Sequence, residues 1–164
     1  MSAAPALSGG GARRLPGSIL FMCGQNAIRS PMAEALAALH LPRTVLVRSA
    51  GLRSGTRDPF VDAVIAEIGL PIIPHDPHGI DEIEDGLFEV IVALTPEAHA
   101  FARELGRTSS VEIELWDTPD PSATEGRREQ VLEAYRAVRD GLERRIIERF
   151  GSHDGGAYSE RQVR

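Results

Sequence analysis

The sequence predicts an α/β fold, a three-layer sandwich in which about four parallel strands carry helices on both faces. Two observations predict it. Apolar runs of strand length alternate about four times with stretches of helical period. The first run, Ile19 to Met22, is continuous rather than alternating, as in a parallel strand buried on both faces.

In chain order, Ile19-Leu20-Phe21-Met22 is the first strand. Ser30-Pro31 follows as an N-cap with proline at the first helical position, and Met32, Leu36 and Leu39 recur at helical spacing. Thr44 to Val47 reads as the second strand, closed by Ser49-Ala50-Gly51. Asp58-Pro59 opens a helix with Val61, Val64, Ile65 and Ile68 on one face and Gly69 as its stop. Phe88 to Leu94 is the third strand, and Thr95-Pro96 starts a helix running to Leu105-Gly106. Val111, Ile113 and Leu115 alternate as a half-buried fourth strand at an edge, with Glu112 and Glu114 facing outward. The last helix starts near Glu125 and aligns Val131, Leu132, Tyr135, Val138, Leu142 and Ile146, with Gly141 as a weak point in its interior.

A chain of 164 residues fits one domain with tails. Residues 1–17 read as a disordered leader rich in Ala, Gly, Ser and Pro, 18–150 as the folded domain, and 151–164 as a flexible tail. Arg13-Arg14 lacks the apolar segment of an export signal, and no apolar run approaches the roughly 18 residues of a membrane span. The expectation is a cytoplasmic protein with no membrane partner. A net charge of −6 and only eight aromatics argue against nucleic acid as a partner. A single cysteine permits neither an internal disulfide nor a cysteine zinc cage. Every basic residue is Arg, which rules out a lysine Schiff base.

In parallel α/β folds ligands bind beyond the carboxyl ends of the strands, here after Met22, Val47, Leu94 and Leu115. The lone cysteine sits there. The segment Cys23-Gly24-Gln25-Asn26-Ala27-Ile28-Arg29-Ser30 runs from the first strand into the first helix. Five residues between Cys23 and Arg29 can curl their backbone N–H groups inward as an anion nest, with the positive end of the helix aimed at the same point. Arg29 can close the ring as a planar clamp on two oxygens. The same field favours the thiolate of Cys23, poised for in-line attack on phosphorus. Expelling an alkoxide or phenoxide then needs an acid. The loop after the fourth strand, Trp116-Asp117-Thr118-Pro119-Asp120-Pro121, offers Asp117 and Asp120 at the same sheet edge.

Cys-x5-Arg-Ser-Pro after the first strand, Ser49-Ala50-Gly51 after the second and an Asp-Pro after the last resemble the low-molecular-weight protein tyrosine phosphatases and the related arsenate reductases. The resemblance implies Cys23 as nucleophile, Arg29 as clamp and Asp120 as general acid and later base, with Asp117 a bystander. It implies phosphate binding along Gly24, Gln25, Asn26, Ala27, Ile28 and Arg29, with Asn26 holding the loop's shape and Ser30 donating to the thiolate. No cofactor and no metal are implied. The expected substrate is a phosphorylated protein, a small phosphoester or arsenate, and nothing in the chain fixes the oligomeric state.

The departures narrow the reading. Ile28 stands where family phosphatases often carry a second cysteine, so no internal disulfide can protect the nucleophile. Ser122 and Ala123 stand where tyrosine-directed members have aromatics, and arsenate reduction would need an external thiol. A non-hydrolytic phosphocysteine carrier is a third reading, though a carrier has no use for an acid. His75-Asp76-Pro77-His78 looks metal-like but reads as a solvated turn. Arg48, Arg53 and Arg57 read as a solvated face near the site, and Arg127-Arg128 as exposed residues at the start of the last helix.

Overall fold

The computed structural model describes residues 15–70, 76–82 and 88–151. His75, most of the leader and the tail from residue 152 lie outside that set. Four strands, β1 (Ser18–Cys23), β2 (Leu46–Gly51), β3 (Val90–Ala93) and β4 (Glu112–Leu115), form one sheet in the order β2-β1-β3-β4. Every pairing is parallel, and the register sets Cys23 opposite Gly51. Four helices, α1 (Arg29–His40), α2 (Pro59–Glu67), α3 (Pro96–Leu105) and α4 (Arg128–Ile146), connect or cover the strands. This is the three-layer α/β arrangement the alternating pattern predicts.

The two faces of the sheet are unequal. Side chains alternate across a strand, so Ile19, Phe21 and Cys23 share one side of β1 with Val47, Val90 and Val92. Met32, Leu36, Val61, Val64, Leu132, Tyr135 and Leu142 of α1, α2 and α4 bury that side. Leu20, Met22, Ile91 and Ala93 face the other way, where α3 contributes only Ala98 and Ala102. The cysteine therefore points into the thicker layer. Packing also starts before the first strand, since Leu15 leans on this core and Pro16 is buried.

Local chemistry sets most helix ends. Asp58 caps α2 by accepting from Phe60 N at 2.8 Å, with Pro59 at the first turn. The same carboxylate accepts the Tyr135 hydroxyl at 2.7 Å, joining α2 to α4. Burial and the Asp58 charge push the Tyr135 phenol well above its usual value. Gly69 takes φ +85° just past the end of α2, a left-handed stop that favours glycine. Thr95 caps α3 through Ala98 N. The long helix begins at Arg128, where Gln130 Oε1 reaches back to Arg127 N at 2.8 Å, and Arg128 lies over the Phe60 ring. It passes into a π turn, Ile147–Gly151, that buries Phe150.

Two expectations change. Ser30 is not the cap of α1; the helix starts at Arg29 and Ile28 occupies the cap position. The hydroxyl is committed elsewhere, to Cys23 and Asn26. Glu112 and Glu114 do not simply face solvent, because Arg149 from the π turn crosses β4 and binds both, at 3.0 and 2.7 Å. Trp116 at the end of that strand lies between Phe21 and Phe150, under the Arg145 guanidinium, with its indole N–H on Glu114.

Gly141 leaves room for a methyl group, whose nearest neighbour would be Arg144 Nη2 at 3.8 Å. Gly141→Ala is expected to stabilise the fold by about 0.5–1 kcal/mol and to raise Tm by about 2–4 °C in a thermal melt.

Candidate active site

The loop from Cys23 to Arg29 leaves the central strand and ends as the first turn of α1. Its carbonyls hold it against the segment after β2. Leu52 N donates to Cys23 O at 3.0 Å and Arg53 N to Gly24 O at 3.1 Å. Asn26 adopts φ +56°, the one non-glycine residue in the left-handed region among those described. The loop is thus tied down through its carbonyls, with a left-handed residue at its centre.

The Asn26 side chain carries that conformation. It is fully buried and its Nδ2 donates to Ser30 Oγ and to Ser49 Oγ, each at 2.9 Å. Its Oδ1 accepts from His78 N at 3.1 Å. Ser49 Oγ passes its own proton to the Glu34 carboxylate on α1. Ser30 Oγ stands 3.0 Å from Cys23 Sγ. Because Asn26 donates to Ser30, the hydroxyl proton can go to the sulfur at 3.0 Å or to Ala50 O at 3.5 Å, and the shorter contact suits a thiolate.

Each residue of Ser49-Ala50-Gly51 now has a reason. Ser49 joins the Asn26 network, Ala50 fills the α3 side of the sheet, and Gly51 leaves space for the loop. A Cβ on Gly51 would meet Asn26 N and Gln25 C at 2.6 Å. His78 closes the far side, with Nε2 2.6 Å from Ser49 O and Nδ1 3.0 Å from Asp76 O. Among the described residues no three His, Cys, Asp or Glu side chains gather to hold a metal.

Arg29 and the Asp120 loop face each other across the sheet's end. Arg29 Nη1 donates to Thr118 O at 3.0 Å. Thr118 N is in turn held by Leu94 O at the end of β3. Asp120 Oδ1 accepts from Ser122 N and Ser122 Oγ at 2.9 and 2.7 Å, capping a short turn over Pro121–Ala123. Partial burial pushes the Asp120 carboxyl up, but the two Ser122 hydrogen bonds and the Arg29 charge outweigh it. The net result lies below the ordinary 3.8. Behind this loop a cleft of about 410 Å³ opens against Ala134, Val138 and Gly141 of α4. Asp117 lines that cleft with its side chain exposed.

The structure thus gathers Cys23, Asn26, Arg29, Ser30 and the Asp120 loop at one end of the sheet. The other arginines are engaged elsewhere. Arg57 binds Asp62, Arg48 reaches Val47 O, and Arg53 is exposed, contributing its backbone N–H to the loop. Glu34, His78 and Thr118 were not legible as site residues. They contact the loop and its neighbours through a hydrogen bond from Ser49, a backbone amide and a carbonyl, none of which leaves a spacing motif.

The family model described as low molecular weight phosphotyrosine protein phosphatase matches residues 18–152. An arsenate reductase of Halalkalibacterium halodurans is 30% identical over 128 residues, covering 78% of this chain and 91% of that protein. A glutaredoxin arsenate reductase of Synechocystis is 27% identical, covering 78% and 92%. Among solved structures, an arsenate reductase in the phosphate-binding state superposes with a TM-score of 0.63 at 27% identity, over 80% of this chain and 94% of that one. The tyrosine phosphatase amsI of Erwinia amylovora shares the fold at a TM-score of 0.65 and 23% identity, over 80% and 89%. With the family model spanning the whole described sheet and all four helices, this chain belongs to the low molecular weight phosphotyrosine protein phosphatase family.

Proposed function

We propose that the protein is a cysteine-dependent phosphomonoesterase working through a phosphocysteine. The observation that carries this reading is the Cys23 Sγ to Ser30 Oγ contact at 3.0 Å, at the start of a loop that ends on Arg29, whose charge reaches Asp120. The chemistry resides in residues 18–150, with 1–17 and 151–164 outside it. The reading places the enzyme in the cytoplasm, where reducing conditions keep a solitary cysteine as a thiol.

In this mechanism the backbone N–H groups of Gly24, Gln25, Asn26, Ala27, Ile28 and Arg29, with the Arg29 guanidinium, take the three non-bridging oxygens. Cys23 Sγ attacks phosphorus in line, the P–O ester bond breaks, and Asp120 gives its proton to the departing oxygen. Ser30 stabilises sulfur as the nucleophile and again as the leaving group. The Asp120 carboxylate then takes a proton from water, which attacks phosphorus, and the S–P bond breaks to return the thiolate and inorganic phosphate. No aromatic follows the Asp-Pro pair, so the mouth offers no stacking partner there for a phosphotyrosine ring.

Asp120 must be protonated to act first, yet the free protein holds it below its ordinary value. A bound phosphate dianion opposes this: the Ser122 hydrogen bonds remain, but two negative charges offset the smaller pull of Arg29 and repel the carboxylate, driving the carboxyl upward. The acid is then armed by its substrate.

A second reading is favoured by the arsenate reductases among the relatives. Here Cys23 attacks arsenate and water leaves, giving an S-linked arsenate. An external thiol attacks the Cys23 sulfur, forming a mixed disulfide and releasing arsenite. A second thiol restores Cys23, so two thiols supply the two electrons as one disulfide.

Cys23→Ser is expected to abolish aryl phosphate hydrolysis while phosphate binding, followed by calorimetry, persists; retained hydrolysis would sink the assignment. Asp120→Ala should slow hydrolysis of alkyl phosphates by about 10²–10³-fold and of p-nitrophenyl phosphate far less, read as a steeper dependence on leaving-group pKa. Carbon NMR of the Asp120 carboxyl should titrate below 3.8 in the free protein and move upward when phosphate saturates it. A downward or absent shift contradicts the arming step. Thiol-dependent arsenite production with negligible ester hydrolysis would favour the second reading.

A further inference from the structure

We infer that Thr118 is a positioning residue whose side chain fixes the carbonyl that holds Arg29 in readiness, an inference that rests on the oxyanion reading above. The Arg29 guanidinium makes no ion pair with Asp120 among the described residues, although the two are near enough for the Arg29 charge to act on that carboxyl. It is held instead by a neutral acceptor, Thr118 O, at 3.0 Å. A backbone carbonyl is a useful keeper for a phosphate clamp. It orients the guanidinium but yields to a dianion, whereas a carboxylate would compete with the substrate and lose its own role as acid.

Three hydrogen bonds fix where that carbonyl points. Thr118 N donates to Leu94 O at 3.0 Å, anchoring the residue to the end of β3. Thr118 Oγ1 donates to Trp116 O at 2.6 Å, closing a local turn. Trp116 is packed at the other end of that turn, with its buried indole tilted against Phe21 and Phe150 under Arg145 and its backbone N–H donating to Ala93 O at 2.8 Å. Thr118 is itself buried, so water does not readily replace the hydroxyl. Of the three hydrogen bonds, the one from the hydroxyl is the one that a side-chain substitution can remove. Without it the turn loses its lock, the Thr118 carbonyl swings, and Arg29 is free to fall toward Asp120.

The test uses the full chain with Thr118→Val, which keeps the shape without the hydroxyl, and Thr118→Ser, which keeps the hydroxyl. Inorganic phosphate and arsenate are titrated by calorimetry, and p-nitrophenyl phosphate turnover is measured beside them. Thr118→Val should bind both oxyanions about tenfold more weakly and raise KM by the same factor, with kcat within about twofold; Thr118→Ser should match the native protein. Native oxyanion affinity in Thr118→Val, a tenfold loss in Thr118→Ser, or a loss confined to kcat would each overturn the inference. Thr118→Ala carries the same expectation if the valine variant does not fold. Native protein that binds phosphate but hydrolyses no ester would refute the hydrolytic reading alone, and the binding titrations would still decide the role of Thr118.

Discussion

The amide of Asn26 is the joint on which the site turns. Its two N–H donors are divided between Ser30 and Ser49, and its oxygen takes the His78 backbone amide. One side chain thereby binds the cysteine loop, the first helix, the second strand and the segment after residue 76. The left-handed backbone at the same residue has a strain that this over-determination offsets. Remove the amide and the loop loses its curvature, Ser30 loses the partner that aims its proton at sulfur, and Ser49 relaxes toward Glu34.

Electrostatics follow a second division. The protein carries a net −6, and most of its structural arginines are neutralised where they stand. Arg136 and Arg139 share Glu67, bridging α2 and α4. Hydrogen bonds from Arg136 first and Arg139 next hold that carboxyl at about 2. Arg149 is shared by Glu112 and Glu114. Arg29 at the sheet's end is held by a carbonyl and makes no ion pair among the described residues. An anion approaching this molecule meets a focused positive point in an acidic surround.

The fold was legible because strands buried on both faces must be apolar throughout, and Ile19 to Met22 and Val90 to Leu94 are. Boundaries were less so. The second strand starts at Leu46 rather than Thr44 because its pairing with Ser18 sets the register, while Val45 N turns back to Pro42 O. Cys23 and Arg29 could be read together since one loop carries both. Asp120 could be placed at the same edge only by the parallel order of strands, and spacing could not separate it from Asp117. What separates them in sequence is the proline after Asp120, the Asp-Pro pair that the resemblance points to. The capping role expected of Ser30 gave way because a buried sulfur and a buried amide compete for its hydroxyl more strongly than helix N–H groups do. Contributions made by main-chain atoms, such as Thr118 O and His78 N, leave no trace in side-chain identity.

Trp116 is the sole tryptophan of the chain, and it sits two residues from Thr118 and four from Asp120. Its indole touches β1 through Phe21, the π turn through Phe150, and a cation through Arg145. Emission excited at the red edge of the protein's absorption therefore comes from a single chromophore at the root of the acid loop. The guanidinium over its face and the carboxylate on its N–H make that emission sensitive to small displacements. The fold carries an intrinsic optical gauge of whether the loop is seated, one that needs no label and reads out on the timescale of stopped flow.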